Sequence, residues 1–442
     1  MSQTGMCRAG GSGKNGLLSP AGRIFLFQAL RAVAALLLGG AILVMGNGLI
    51  GITLPIRLDL EGVRTEIAGL VLSAYYAGFV VGSFYGQRII GRVGHIRAFA
   101  AFAGLLAAST LIYPLWFSPG SWAVLRAING FCMAALFAAI ESWLNLRSTS
   151  ESRGRILSFY MVATYLGSGA GQFLVNAWGV RGIELFCLAA MLLSLSLVPV
   201  TLTHVDGPDM GHPKPFGVQR LFRLSPLGVI GAAGAGLLSG AFYSLGPIFG
   251  AGAGLDVFQV SVFMGVMVFG GLALQWPIGR LSDRFDRRTV LLFMLIATAI
   301  VCLVIYGWAV KVGGVVPLML LVGLFGGAVA TIYPLVVAHA FDWVARDRMV
   351  AASSGLLLAW AAGATLGPIL GSLLMQALGD EALFLFLALV AAGLAGFTAY
   401  RMRRRAALPS RQQSPYVPLS TTAGVSGPLD PRTEPVAGRP AA

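Results

Sequence analysis

From Ser261 to Tyr306 the chain is apolar or small except at Gln275 and in one knot of charge, Gly279-Arg280-Leu281-Ser282-Asp283-Arg284-Phe285-Asp286-Arg287-Arg288. The runs on either side are long enough to cross a bilayer, which takes about 20 apolar residues in a helix. Irregular polar backbone is not tolerated in hydrocarbon. The knot is therefore expected outside the lipid, as a short hinge between two helices that leave the membrane on the same side.

The rest of the chain repeats this pattern. With 442 residues, 57% hydrophobic, 11% charged and a mean hydropathy of +0.81, it lies outside soluble globular statistics. A formal charge of +14 invites a nucleic-acid partner, but that requires a basic patch on a folded face. Here the basic residues sit one to four at a time between apolar runs, so no nucleic acid is expected and membrane topology accounts for the charge. Runs of crossing length fall near 29–54, 67–90, 98–117, 121–144, 156–178, 183–203, 226–250, 258–281, 290–310, 315–340, 350–377 and 382–402. That predicts an all-α membrane protein of twelve spans, with nothing left over for a folded soluble domain.

Orientation follows from lysine and arginine. Alternate loops hold Arg88, Arg92, Arg97, then Arg147, Arg153, Arg155, then Lys214, Arg220, Arg223, then Arg280, Arg284, Arg287, Arg288, then Arg346, Arg348, and finally Arg401, Arg403, Arg404, Arg405. The opposite loops hold only Arg57, Arg64, Arg181 and Lys311. Both termini are therefore expected in the cytosol. Residues 1–25, Gly/Ser-rich with Arg8, Lys14 and Arg23, read as a flexible leader, and the run from Ala32 to Leu54 is too long for a signal-peptide core. The polar, Pro-containing stretch 204–224 reads as a linker between a bundle at 26–203 and one at 225–402, and the Pro/Ser/Thr/Gly-rich tail 403–442 as disordered.

Cys7, Cys132, Cys187 and Cys302 have neither metal nor disulfide spacing, and His95, His204, His212 and His339 are scattered. No metal or cofactor is expected. The chain carries no Gly-x-x-x-x-Gly-Lys-Ser/Thr, His-Glu-x-x-His or Gly-x-Ser-x-Gly element, so neither ATP-driven pumping nor an intramembrane enzyme is supported.

The pattern Gly279-x-x-x-Asp283-Arg284-x-x-Arg287-Arg288 resembles the loop signature of the major facilitator superfamily of secondary transporters. Its weaker counterpart half a chain earlier, Gly91-Arg92-Val93, falls on Asp283-Arg284-Phe285 when the halves are overlaid, with glycine in place of the acid. Such duplication is a mark of two-bundle transporters. Arg126 with Gly130 resembles the superfamily's fourth-span arginine motif. Glu141, followed by Arg153-Gly154-Arg155, resembles the pair that brackets this loop in sugar-porter members. Together with Gly171-Gln172, the match is nearest the YcaD-like branch of bacterial facilitators. The resemblance implies two pseudo-symmetric six-helix bundles around a central site, and a small-molecule solute moved by alternating access across the bacterial inner membrane.

It also implies residue roles. Asp283, Arg284, Arg287 and Arg288, with Arg92, Arg97, Glu141 and Arg153, are expected to form a charge network that gates the cytosolic side. Arg126 either binds solute or couples protons, or else snorkels to the interface, since an ionisable residue inside a span is a functional candidate. Held among Asn47, Asn129 and Gln172 it would suit a carboxylate or phosphate, making an anion the candidate solute. About 22 Å of helix separates Arg126 from Glu141, so they do not pair. Tyr243 and Tyr333 are candidate solute contacts, and Tyr75, Tyr76, Tyr165, Asn176, Gln275, His339 and Trp360 can also face a cavity or serve only as packing. Gly167-x-x-x-Gly171 and Gly363-x-x-x-Gly367-Pro368 are either part of the transport machinery or close-packing faces. Glu141 leaves proton coupling open. The expected assembly is a monomer in the lipid bilayer. A non-transporting sensor or scaffold on the same bundle is the alternative.

Overall fold

A computed structural model describes residues 20–148, 152–202, 218–307, 314–345, 348–406, 408, 413–419, 430 and 432, with side chains from residue 33 except at Val218. Cys7, Arg8, Lys14, His204, His212, Lys214, Lys311, Arg346 and most of the leader, the linker and the tail lie outside the described residues.

The first half runs α1 (Pro20–Leu60), α2 (Thr65–Val93), α3 (His95–Ile112), α4 (Pro119–Leu146), α5 (Arg153–Phe173), α6 (Glu184–Leu195) and the short α7 (Leu197–Thr201). After α8 (Val218–Leu224) the second half runs α9 (Pro226–Gly252), α10 (Val257–Arg284), α11 (Arg287–Val304), α12 (Val315–Phe341), α13 (Met349–Leu378) and α14 (Ala382–Arg404). Eleven described segments are long and apolar enough to cross a membrane, α6 and α7 counting as one. The remaining crossing is α5, too rich in Gly, Ser and Tyr to stand out by hydropathy. It packs on α1 and α10, with Thr164, Ser168 and Gln172 buried.

Local chemistry sets several boundaries. Pro199 has no N–H to return to Leu195, four residues back, so the sixth crossing breaks at Ser196. Asp256 and Gln259 close a capping box on α10 at 2.8 and 3.0 Å. The charged knot is itself almost entirely helical: only Phe285 and Asp286 lie between α10 and α11, because Asp286 accepts the Arg288 N–H at 3.0 Å and starts the next helix at once. The expected ten-residue hinge is thus a two-residue corner. The end of the linker is the helix α8, and α1 already begins at Pro20, within the expected leader.

The two halves share one packing scheme. In each, glycines sit directly on a neighbour's backbone carbonyl, an approach any side chain would block. Gly130 of α4 rests on the Tyr75 carbonyl of α2, as Gly326 of α12 rests on that of Met267 in α10. Gly167 and Gly171 of α5 rest on Ala41 and Met45 of α1, as Gly363 and Gly367 of α13 rest on Ala233 and Leu237 of α9. The duplication visible in the loops therefore extends through the helix contacts, and the two glycine motifs are equivalent seats. Between the halves, α2 packs on α13, α5 on α10 and α1 on α9.

Candidate functional site

The faces of the two bundles differ. The arginine-rich face carries the α2–α3 and α10–α11 corners; the arginine-poor face carries the α1–α2 and α9–α10 turns. At the arginine-poor face the halves touch. Asn176 donates to Ser261 across the seam at 2.9 Å. A Cβ on Gly69 would strike Ser372 and the Pro368 carbonyl, and Phe173 covers Gly265. Asp380 lies on this seam, and burial, reinforced by the charge of Asp59 on the other half, holds its carboxyl above the ordinary value. Midway along the seam Gln275 donates to the Tyr165 hydroxyl at 2.7 Å.

Between the halves lies a connected aromatic cluster with a cation at one end and an acid at the other. Arg126, 6% exposed, holds its guanidinium 4.5 Å from the Tyr75 ring centroid, a geometry in which the ring face attracts the cation. Tyr75 meets the Asn47 amide through its hydroxyl and packs edge-on against Tyr76 at 5.2 Å. Tyr76 and Phe79 then reach Trp360 of the other half at 6.1 and 6.3 Å, and Trp360 packs on Tyr333 at 6.3 Å. Tyr243 and Ser244 approach Tyr76 from α9.

At the far end Glu141 is 6% exposed. Tyr160 faces its carboxyl and Tyr333 lies within electrostatic reach. Several buried polar atoms make no hydrogen bond: Arg126 Nε, Trp360 Nε1 and the Tyr333 hydroxyl in this cluster, Glu141 Oε1 at its far end, and Gln172 Oε1 and Ser239 Oγ on α5 and α9. Buried polar atoms are normally satisfied, which makes these groups candidates for contact with a solute.

The structure thus joins Arg126 to Asn47 through Tyr75 and to Tyr333 through the aromatic cluster, and sets Tyr243 beside Tyr76. Gln172 lies against Gly48 on α1. Asn129 turns elsewhere: it accepts from Tyr113 at 2.5 Å and donates to Ser109 at 3.1 Å, tying α4 to α3. Tyr160 and Ser239 were missed by sequence reasoning. Tyr160 lies 19 residues after Glu141 on the next helix, but α4 and α5 are not packed as a hairpin; Ile140 and Tyr160 both face Gly40 of α1, a proximity that spacing along the chain does not signal.

The expected gate residues divide. Arg287, 1% exposed, pairs with Asp342 at 2.8 Å and with Asp283 at 3.8 Å, and donates to Ser282 at 3.2 Å. Burial raises the Asp342 carboxyl from its ordinary value, against the opposing pull of Arg287 and the Ser414 N–H. Arg288 pairs with Asp286 at 2.9 Å. Burial would raise the Asp286 carboxyl, but the Arg288 hydrogen bonds and charge outweigh it and leave the group below its usual value. These pairs lie within the second half. Arg92, Arg97 and Arg284 are exposed, and Arg153 points Nε at Ser148 Oγ, 3.5 Å away. Glu141 sits with Tyr160 and Tyr333 rather than with Arg92 and Arg97. Among the described residues no three His, Cys, Asp or Glu side chains gather as a metal site.

Similarity to known proteins agrees with this architecture. The Major Facilitator Superfamily profile matches residues 36–276 and 254–425. An MFS-type transporter of Enterobacter sp. (strain 638) is 30% identical over 82% of this chain and 93% of its own length. The MFS-type transporter YcaD of Escherichia fergusonii is 30% identical over 81% and 93%. Among solved structures, the nucleoside transporter NupG superposes with a TM-score of 0.70 at 14% identity, covering 84% of this chain and 99% of its own. A bacterial homologue of the human lysosomal transporter Spinster, inward-facing and unoccupied, gives 0.67 at 13%, covering 86% and 98%. Sequence, helix packing and these relatives together place the chain in the major facilitator superfamily, as a multi-pass membrane protein of a transporter family.

Proposed function

We propose that this protein carries a small organic anion across the bacterial inner membrane by alternating access, with the arginine-rich face and both termini in the cytosol. The observation that supports it most is the buried Arg126 guanidinium, stacked on Tyr75 with Nε unpartnered, at the end of an aromatic cluster contributed by both halves. A cation in that setting recognises a carboxylate or phosphate by charge-assisted hydrogen bonds, while Tyr76, Trp360 and Tyr333 offer faces to an apolar or aromatic body. A solute held between the halves makes different contacts when either side opens, and so shifts the population of the two states.

Glu141 is proposed as the proton site. It is buried without a closed hydrogen bond at Oε1, and its polar neighbours are phenols rather than cations, so its charge is costly and its protonation responds to solute and to opening. The described conformation has the arginine-poor side shut. Asp283, Arg287, Arg288, Asp342 and Arg153 belong to the arginine-rich side, where rearrangement of their pairs would accompany closure.

The test is a thermal-shift screen of the purified protein against small carboxylates, phosphates and aromatic acids, followed by uptake of each hit into proteoliposomes. A hit that Arg126→Ala abolishes and that is transported supports the reading. A hit that binds without flux would favour a sensor, and binding of neutral compounds alone, indifferent to Arg126, would exclude an anion carrier.

A further inference from the structure

The tail was expected to be disordered, yet its described residues are docked in the arginine-rich side of the molecule. Ser414 donates its N–H to Asp342 at 2.8 Å while its carbonyl accepts from Arg287, and Tyr416 donates its N–H to Asp283 at 2.8 Å. The Leu419 carbonyl accepts from Gln275 at 2.9 Å, the same amide that reaches Tyr165 of the first half at 2.7 Å. Val417 and Leu419 are 5% and 1% exposed. The Tyr416 ring lies over Gly279, where a Cβ would collide with it. Farther along, Arg432 pairs with Asp430, lies 4.7 Å from the Phe341 ring centroid and donates to the Pro415 carbonyl at 3.3 Å.

These contacts use the charged motif itself. Gly279, Asp283 and Arg287 all hold the tail. Leu419, beside the Tyr165–Gln275 contact, sits where α5 and α10 are packed together. A peptide wedged beside the α5–α10 seam obstructs its approach on that side, since a packed interface does not accommodate extra volume without moving apart.

We propose that residues 413–419 form a tethered wedge which docks on the Gly279-to-Arg287 face, holds the arginine-rich side open and must leave before that side closes. The tail is in this sense an autoinhibitory segment of the carrier, and the motif glycine is its docking notch. The inference rests on the alternating-access reading, but its test needs no solute and so fails or succeeds separately from the flux assay.

The experiment uses the full chain with its native cysteines replaced by alanine. With Val417→Cys added, a water-soluble maleimide should label the protein roughly tenfold or more slowly than a synthetic peptide of residues 406–442 bearing the same cysteine, because a docked segment reacts only through its undocked fraction. Gly279→Leu, which fills the notch, should bring the rate back to that of the peptide. In the second arm, cysteines at Gly154 on α5 and Arg284 on α10 report closure through cross-linking by a short bismaleimide. Expelling the tail with Leu419→Asp should raise the yield at least about threefold, a shift of under 1 kcal/mol in the open-to-closed balance. Labelling as fast as the free peptide, or a cross-linking yield unchanged by Leu419→Asp, would overturn the wedge. Leu419→Asp alters only the tail, so a folding defect in Gly279→Leu does not remove the test.

Discussion

The Arg126 guanidinium stands 4.5 Å from the Tyr75 ring centroid, and Tyr75 in turn meets Asn47 through its hydroxyl. The ring steers and partly shields the cation but cannot neutralise it, which leaves it the counterion that the proposed anionic solute requires. Replacing Arg126 by alanine should cost about 1.5–3 kcal/mol of binding to an anionic hit, roughly ten- to 150-fold in Kd. Lysine keeps the charge but loses the planar fork, so Arg126→Lys should recover only part of the affinity. Titration of both variants against the same solute checks this.

Glu141 and Tyr160 form the other pole. If Glu141 carries the coupled proton, Glu141→Gln should reduce uptake driven by a pH gradient by at least about tenfold while leaving solute counterflow, which needs no net proton movement, near the wild-type rate. Loss of both activities would instead mark Glu141 as a structural group of the bundle core.

Gly130 on the Tyr75 carbonyl and Gly326 on the Met267 carbonyl are pseudo-symmetric seats. A bulky side chain at either must force two helices apart, so Gly130→Leu and Gly326→Leu should each lose about 2 kcal/mol or more. Thermal unfolding in detergent should drop in both, and by similar amounts. An exposed glycine with open space around it, Gly396, gives the control.

Asp380 supplies a pH dependence. Its carboxyl is held above its ordinary value in the conformation whose arginine-poor side is shut, by burial first and by Asp59 second. This form therefore binds the proton more tightly than one in which the seam is open, and acidification favours closure. The gain begins as pH falls through the raised value and is complete below the ordinary aspartate value near 3.8. Asp380→Asn should favour the shut form at neutral pH and flatten the response. Water accessibility of a cysteine at Ser372, followed across pH, measures it.

Much of this was legible in the residues. Apolar run lengths and the one-sided arginines were enough to outline the bundles, and the Gly167 and Gly363 motifs already sat at equivalent places. Hydropathy undercounts α5 because that helix faces other helices on two sides and trades apolar bulk for Gly, Ser and Tyr. Pairings across the chain were not legible. Asn129 looked like a partner of Arg126 through its spacing on one helix, but Tyr113 and Ser109 of α3 claim it. The Pro/Ser tail has too little apolar surface to fold by itself, and its docking depends on groups more than 70 residues away, at Asp342 and Asp283.

The central claim is that the shut arginine-poor side must open for solute to pass. Asn176 and Ser261 hold that seam at 2.9 Å, so a reversible disulfide between Asn176→Cys and Ser261→Cys locks it. In proteoliposomes loaded for counterflow, the oxidised protein should still bind solute from the arginine-rich side but carry none, and reduction should restore flux. Undiminished flux through the oxidised, fully cross-linked protein would contradict the account.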